Sequence, residues 1–295
     1  MNRAIYLFFR LMVFINRFIP FFIFYYIADL LYFLLYYLFR YRRKVVTSNL
    51  ERVFPEKRSK EISELVRKFY RNLSDILLES IKGFSTDINT LVKRFKILNP
   101  ELLDQYYNEG SDVIILGAHY ANWEWGALAS GMQTKMHVIG LYKPLSNQYV
   151  DEYLKRKRAV WNMELASIYV TTKIFDKDYG KPKAVIMLAD QCPNNLKHAV
   201  FVDFLGQDTA CLHGPEKHGR RKNMPLLYAD VQRVKRGHYT LELSELIGNP
   251  LELEEGKITE IYMKKLEEII LKQPENWLWS HRRWKRTREK IYEEQ

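Results

Sequence analysis

The chain has 295 residues, 47% hydrophobic and 14% aromatic, which is enough apolar mass for one large core plus an appendage and excludes a disordered chain. Its net charge of +11 points toward an anionic partner: nucleic acid, an acidic protein or a phosphate-rich lipid surface. Cys192 and Cys211 form no C-x-x-C pair, so neither a disulfide framework nor a zinc site is implied, and a reducing, cytoplasm-facing body fits.

From Phe21 to Phe39 every residue is apolar or aromatic except Asp29. At helical rise the stretch is about 28 Å long, close to the hydrocarbon core of a bilayer, and it reads as a membrane anchor. Arg40, Arg42, Arg43 and Lys44 follow at once, and the positive-inside rule then puts the body in the cytoplasm. A cleaved signal peptide is the competing reading, but the stretch is too long, rich in Tyr and Phe, and followed by bases rather than an A-x-A site. Asp29 and the five tyrosines leave two placements open, a spanning helix and a steeply tilted or interfacial one. Ile5 to Ile15, broken by Arg10, reads as a second interfacial helix.

After the polar break at Glu56 to Ser59, Ile62, Leu65, Val66, Phe69, Leu73, Ile76 and Leu77 recur at helical spacing, a core-packing stripe opposite a charged face. A weaker helix is predicted over Lys93 to Tyr107. Val113 to Leu116 is a buried-strand candidate, Gly117 and Ala118 suit a tight turn, and Trp123 to Met132 can form a helix. Between them lie His119 and, five residues on, Glu124. On one ideal helix such a pair is roughly 140° apart, so the two meet only if His119 sits in the turn and Glu124 in the helix after it. An imidazole with a carboxylate on one nitrogen is fixed in tautomer, raised in basicity and able to take a proton from an alcohol. The bland alternative is a hydrogen-bonded loop histidine.

Further apolar runs cover Met136 to Leu141, Ala184 to Leu188, Val200 to Phe204, Leu226 to Val231 and Tyr239 to Leu243, the last two joined by Lys235-Arg236-Gly237. This alternation predicts an α/β fold: a single domain with a mixed β-sheet flanked by helices and a late hairpin, preceded by the N-terminal membrane-anchoring helix. In such sheets functional groups gather at the carboxyl ends of strands, and His119 and Asp190 both fall just past one. There is no P-loop, no G-x-G-x-x-G and no metal-spaced cluster, so no metal or other cofactor is expected.

Several stretches also carry a likeness. They are the box His119 to Glu124; Asn49-Leu50 with Phe54-Pro55 and Arg71-Asn72; Tyr142-Lys143-Pro144, Asn147, Arg158, Asp190 and Phe204-Leu205-Gly206; and the closing run from Pro274 through Trp277-Leu278-Trp279-Ser280-His281-Arg282-Arg283-Trp284-Lys285. Together, and in this order, they resemble the H-x4-D/E acyltransferases, in particular the lipid A biosynthesis lauroyl/myristoyl acyltransferase family of Gram-negative bacteria. The run after Asp190, Gln-Cys-Pro-Asn-Asn, departs from familiar members, which often carry His or Arg and a second acid there.

The resemblance implies an anchor over residues 1–44 and a catalytic domain over 45–295. The reaction would move a fatty acyl chain from acyl carrier protein to a hydroxyl of a lipid A precursor at the inner membrane. His119 would be the general base, Glu124 would steady the imidazolium, and Arg158, assisted by Lys143, would stabilise the oxyanion. Two readings of Arg158 stand, that one and a solvated base in Lys155-Arg156-Lys157-Arg158. Asp190 is open among an anchor for Arg158, a substrate ligand and an Asx-turn. The basic clusters at 40–44, 155–158, 217–222 and 282–290 would also suit a nucleic-acid binder, but they accompany an apolar helix rather than a reading module, and no nucleic acid is expected. His281 reads as structural; Trp277, Trp279 and Trp284 read either as core or as headgroup-level residues. Gly214-Pro215 reads as an anion-binding helix start or as ordinary proline initiation. The rivals are acylation of another membrane lipid and a non-catalytic basic membrane-surface protein.

Overall fold

The computed structural model describes residues 2–159 and 162–288. Lys290, counted above in the last basic cluster, lies outside them. The strands are β1 (Phe95–Ile97), β2 (Val113–Gly117), β3 (His137–Tyr142), β4 (Met163–Ser167), β5 (Lys183–Leu188), β6 (Ala199–Phe204), β7 (Gln207–Leu212), β8 (Leu226–Lys235) and β9 (His238–Ile247). The helices are α1 (Asn2–Phe18), α2 (Phe21–Phe33, extended by a π-helical turn Leu34–Leu38), α3 (Arg43–Val53), α4 (Ser59–Gly83), α5 (Ile88–Arg94), α6 (Glu101–Asn108), α7 (Trp123–Ser130), α8 (Gln148–Ala159), α9 (Thr171–Asp176), α10 (Gly214–Lys222) and α11 (Lys257–Lys272).

The main sheet runs β1-β9-β8-β2-β5-β3-β4. Every pairing in it is parallel except β8 with β9, the hairpin expected at Arg236-Gly237. The fold is thus α/β with a mixed sheet flanked by helices, as its alternating pattern predicts. β2 is buried at all five positions because helices cover both faces of the sheet there, which is why Val113 to Leu116 reads as an unbroken apolar run rather than an alternating one. β6 and β7 form a separate hairpin turning on Leu205-Gly206, both with positive φ, where the extra strand β7 had not been expected.

The helix expected over Lys93 to Tyr107 is instead α5, β1 and α6. Asn99-Pro100 interrupts it: proline cannot donate within a helix interior and serves instead at the start of α6. Phe95 and Ile97 point into the core while Lys96 is exposed, the period-two pattern of a strand. In α4 the apolar stripe packs inward as expected through Ile62, Val66, Phe69, Leu73 and Ile76, whereas Leu77 is exposed.

Phe21–Leu38 is, among the described residues, the one helix long and apolar enough to cross a membrane, and only 17% of it is buried. Its polar edge docks on the body. Arg236, in the β8–β9 turn, bonds Asp29 at 2.6 Å and Asp75 of α4 at 2.7 Å, and Arg233 holds the other oxygen of Asp75 at 2.5 Å. Asp29 therefore ties α2 to the β8–β9 turn and has a defined partner.

Candidate active site

Parallel pairing of β2 and β5 sets Gly117 opposite Leu188. Two residues further along both chains, the same register brings His119 opposite Asp190. The Asp190 carboxylate accepts from His119 twice, from the backbone N at 3.1 Å and from Nδ1 at 2.7 Å. Trp277 Nε1 donates to the second oxygen at 3.0 Å. Asp190 is buried, and the imidazole is 21% exposed, its Nε2 without a hydrogen-bond partner among the described residues. A proton on Nδ1, facing a carboxylate, makes Nε2 the basic nitrogen.

Burial alone would depress the imidazole. The charge of Asp190, its hydrogen bond and the charge of Glu124 outweigh that and hold His119 above its ordinary value. Burial would likewise raise Asp190, but His119 and the hydrogen bonds from it and from Trp277 hold that carboxyl below the usual range.

The carboxylate on the ring is thus Asp190, where sequence spacing had pointed to Glu124. Glu124 lies in the first turn of α7 and turns toward α8, where it accepts a hydrogen bond from Arg158 Nη2. Arg158 is buried, which removes its reading as a solvated base, and its Nε has no hydrogen-bond partner among the described residues. Its guanidinium also lies 5.6 Å from the Phe84 ring centroid. His119, Glu124 and Arg158 line one cavity of about 580 Å³, with the exposed Lys143 at its rim. From this polar end the cavity runs past Ala127 and Ser130 of α7 toward Val138 and Met163, at the amino ends of β3 and β4. Most of the residues around this space are apolar, the lining a hydrocarbon chain would need.

The turn carrying His119 is held from behind by the closing segment of the chain. Leu278 N donates to His119 O at 3.0 Å, Ala121 N donates to Asn276 O at 2.9 Å, and Tyr120 forms a bridge with Trp277. Tyr262 Oη caps the end of β2 by donating to Gly117 O at 2.8 Å. Asn49 donates to the carbonyls of Trp279 and His281, both at 2.9 Å, and Asn72 donates to Asn276 Oδ1 at 3.1 Å. His281 Nε2 accepts from Cys192 N at 3.1 Å, and burial pushes its pKa down to about 4, so it is a neutral structural acceptor. Trp277 and Trp279 are core residues, and Trp284 Nε1 bonds Thr209 Oγ1 at 2.8 Å. Pro215 stands in the first turn of α10, and Glu216 beside it serves the start of α11, accepting from Thr259 N at 3.0 Å.

A second buried carboxylate sits behind α7. Glu79 of α4 is fully buried and accepts from Asn122 Nδ2 at 2.6 Å, Tyr239 Oη at 2.7 Å and Tyr25 Oη of α2 at 2.8 Å. Asn122 in turn caps α7 through Trp125 N at 2.9 Å, and Trp125 Nε1 donates to Glu79 O at 2.7 Å. Burial is the main influence on Glu79 and raises it. Sequence reasoning missed Glu79, which looks like any acid on an amphipathic helix. Asn122 was findable as an N-cap ahead of Trp123.

A family described as "Bacterial lipid A biosynthesis acyltransferase" matches residues 2–286. The chain belongs to that family. Its curated relatives include the lipid A biosynthesis lauroyltransferase of Escherichia coli strain K12, 25% identical over 255 residues, covering 83% of this chain and 79% of the relative. The lipid A biosynthesis palmitoleoyltransferase of the same organism is 24% identical over 247 residues, with the same coverage of each chain, and a lipid A biosynthesis acyltransferase of Shigella flexneri matches equally. In this acyltransferase the family-like closing signature, Trp277 to Trp284, is the layer that fixes Asp190 and the His119 turn.

Proposed function

We propose that this acyltransferase moves a fatty acyl chain from acyl carrier protein to the hydroxyl of a 3-hydroxyacyl chain on a lipid A precursor. It would work at the cytoplasmic face of the inner membrane, with residues 1–44 as anchor and 45–295 as catalytic domain. The reading rests on one observation above all: an imidazole whose Nδ1 is held by a buried carboxylate and which lines a mostly apolar cavity together with Glu124 and Arg158. In the proposed step, Nε2 takes the proton of the acceptor hydroxyl as its oxygen attacks the thioester carbonyl. Asp190 stabilises the imidazolium, and Arg158, held by Glu124 and carrying an unpartnered Nε, faces the developing oxyanion with Lys143 near the rim. Collapse breaks the carbon–sulfur bond, and the departing thiolate recovers the proton from the imidazolium. General-base help is worth about 10² to 10⁴ in rate and an oxyanion donor about 10² to 10³.

A strain lacking this enzyme, complemented with wild type or with His119→Ala, tests the reading. Lipid A is weighed by mass spectrometry. Wild type restores one acyl chain and His119→Ala does not; full restoration by the variant would exclude His119 as the base. If lipid A is unchanged in the null strain while another membrane lipid loses an acyl group, the acceptor assignment is wrong. A parallel assay with purified enzyme, comparing acyl carrier protein and coenzyme A thioesters, tests the donor.

The cavity makes a further expectation. Ser130 lines it six residues after Glu124, roughly 9 Å further along α7. Ser130→Leu fills that deeper part, so the preferred donor shifts to shorter acyl chains with little loss on the shortest ones. A panel of donors of increasing chain length reads this directly, and an unchanged preference would show that the chain lies elsewhere.

A further inference from the structure

We propose that the mouth of the active-site cavity is itself a membrane-docking lip, a second contact with the bilayer leaflet besides the apolar helix. The proposal rests on the anchored, lipid-acylating reading above. β3 and β4 end side by side, with Tyr142 paired to Ser167. The chain leaving β3 leads to Leu145 and the chain leaving β4 leads to Ile168; both line the cavity and both are exposed. Ile168, Tyr169 and Val170 form a short turn in which all three apolar side chains face solvent, Tyr169 at 73% exposure. The turn is held in shape: Ser167 Oγ accepts from Tyr169 N at 3.2 Å, and Thr171 Oγ1 donates to Ile168 O at 2.7 Å. A locked turn thus presents apolar surface of three side chains to water, most of all that of Tyr169.

What covers the lip follows from what it continues into. Leu145 N is tied to Asp151 of α8 at 2.9 Å, and Tyr149, also exposed, begins the same helix. Tyr149 meets Tyr6 of α1 at a centroid distance of 5.9 Å, with the guanidinium of Arg3 5.6 Å from its ring, and Asn147 donates to Asn2 O at 3.0 Å. From there α1 exposes Leu7, Phe8, Leu11, Phe14 and Phe18 and leads through Pro20 into α2. Exposed apolar side chains therefore recur from the apolar helix through α1 to the cavity mouth, and such a run of apolar exposure marks an interaction surface. Exposed bases, Arg3, Arg10, Lys143 and Lys173, border it, and tyrosine at its rim suits headgroup depth. With the mouth lying in the leaflet, an acceptor lipid reaches Nε2 of His119 without withdrawing its hydrocarbon into water.

The test uses the full chain in phosphatidylethanolamine/phosphatidylglycerol vesicles. Tyr169→Cys and, as an equally apolar exposed position away from the lip, Leu251→Cys are each labelled with an environment-sensitive fluorophore; the native cysteines are buried. Lipids brominated near the headgroup quench the label at 169 and not at 251 if the lip is inserted. A label at 169 that stays unquenched while the protein co-sediments with the vesicles overturns the proposal. Self-association abolished by Tyr169→Glu/Val170→Glu would assign the face to a second copy and likewise overturn it. The same double variant, which leaves the cavity lining intact, is expected to lose about fivefold or more activity toward an acceptor in vesicles and none toward that acceptor dispersed in detergent. Equal loss in both formats speaks against the lip. If wild type transfers no acyl group in either format while the quenching appears, the functional reading fails and the lip stands.

Discussion

Asp190→Asn lowers kcat by about 10³- to 10⁴-fold, whereas Glu124→Gln lowers it by about 10- to 10²-fold. An amide opposite Nδ1 has no charge with which to stabilise the imidazolium, and when its NH2 faces the ring it forces the proton onto Nε2, the nitrogen that must accept. Glu124 touches Arg158 rather than the ring, so its loss loosens the guanidinium and removes a distant charge from His119. The two variants also differ in pH dependence. Catalysis needs the neutral imidazole, so activity rises as pH passes upward through the His119 pKa, which Asp190 and Glu124 hold above 6.5. Without the charge of Asp190, burial dominates, the imidazole pKa falls, and the acid limb of the kcat/KM profile moves to lower pH. The same direction, with smaller size, is expected for Glu124→Gln. A fully active Asp190→Asn beside an inactive Glu124→Gln would reverse the assignment of the two acids.

The largest stability effect falls on Glu79. Glu79→Ala leaves the side chains of Tyr25, Asn122 and Tyr239 without their acceptor in a dry interior. Each unsatisfied buried donor costs about 1 to 3 kcal/mol, so three of them together cost on the order of 5 kcal/mol. For a chain of this size the melting midpoint drops on the order of 10 °C, read by tryptophan fluorescence of the detergent-solubilised protein. Glu79→Gln falls between, since one amide oxygen still accepts while its NH2 meets donors. Tyr25→Phe, which removes one donor and leaves the others satisfied, costs least. A midpoint for Glu79→Ala within about 2 °C of wild type would show that the network carries no stability. The network also joins α2 to the cap of the helix bearing Glu124, so its loss reaches activity as well as folding.

Local patterns in the chain were sufficient for much of this architecture. The apolar run of β2, the small residues after it, the helix at Trp123 and the hairpin at Arg236-Gly237 each depend on neighbours a few residues away, where periodicity and turn chemistry act directly. The short strands β1, β4 and β7 were not legible, because three to six residues with mixed polarity carry too little pattern. The apolar helix was plain from composition, but the partner that Asp29 finds, Arg236, lies more than two hundred residues away.

The site divides in the same manner. That His119 stands in a turn at a strand end, and that Glu124 opens the next helix, followed from the sequence by itself. Which acid meets the imidazole did not, because the answer depends on the parallel register of β2 with β5, a pairing between segments 71 residues apart that no local rule encodes. The burial of Arg158 had the same origin: a base in a run of four bases is indistinguishable from its neighbours until the packing of α8 against the sheet turns that one side chain inward. Chemical character was written along the chain, and partnership was decided only when the sheet brought distant strands side by side.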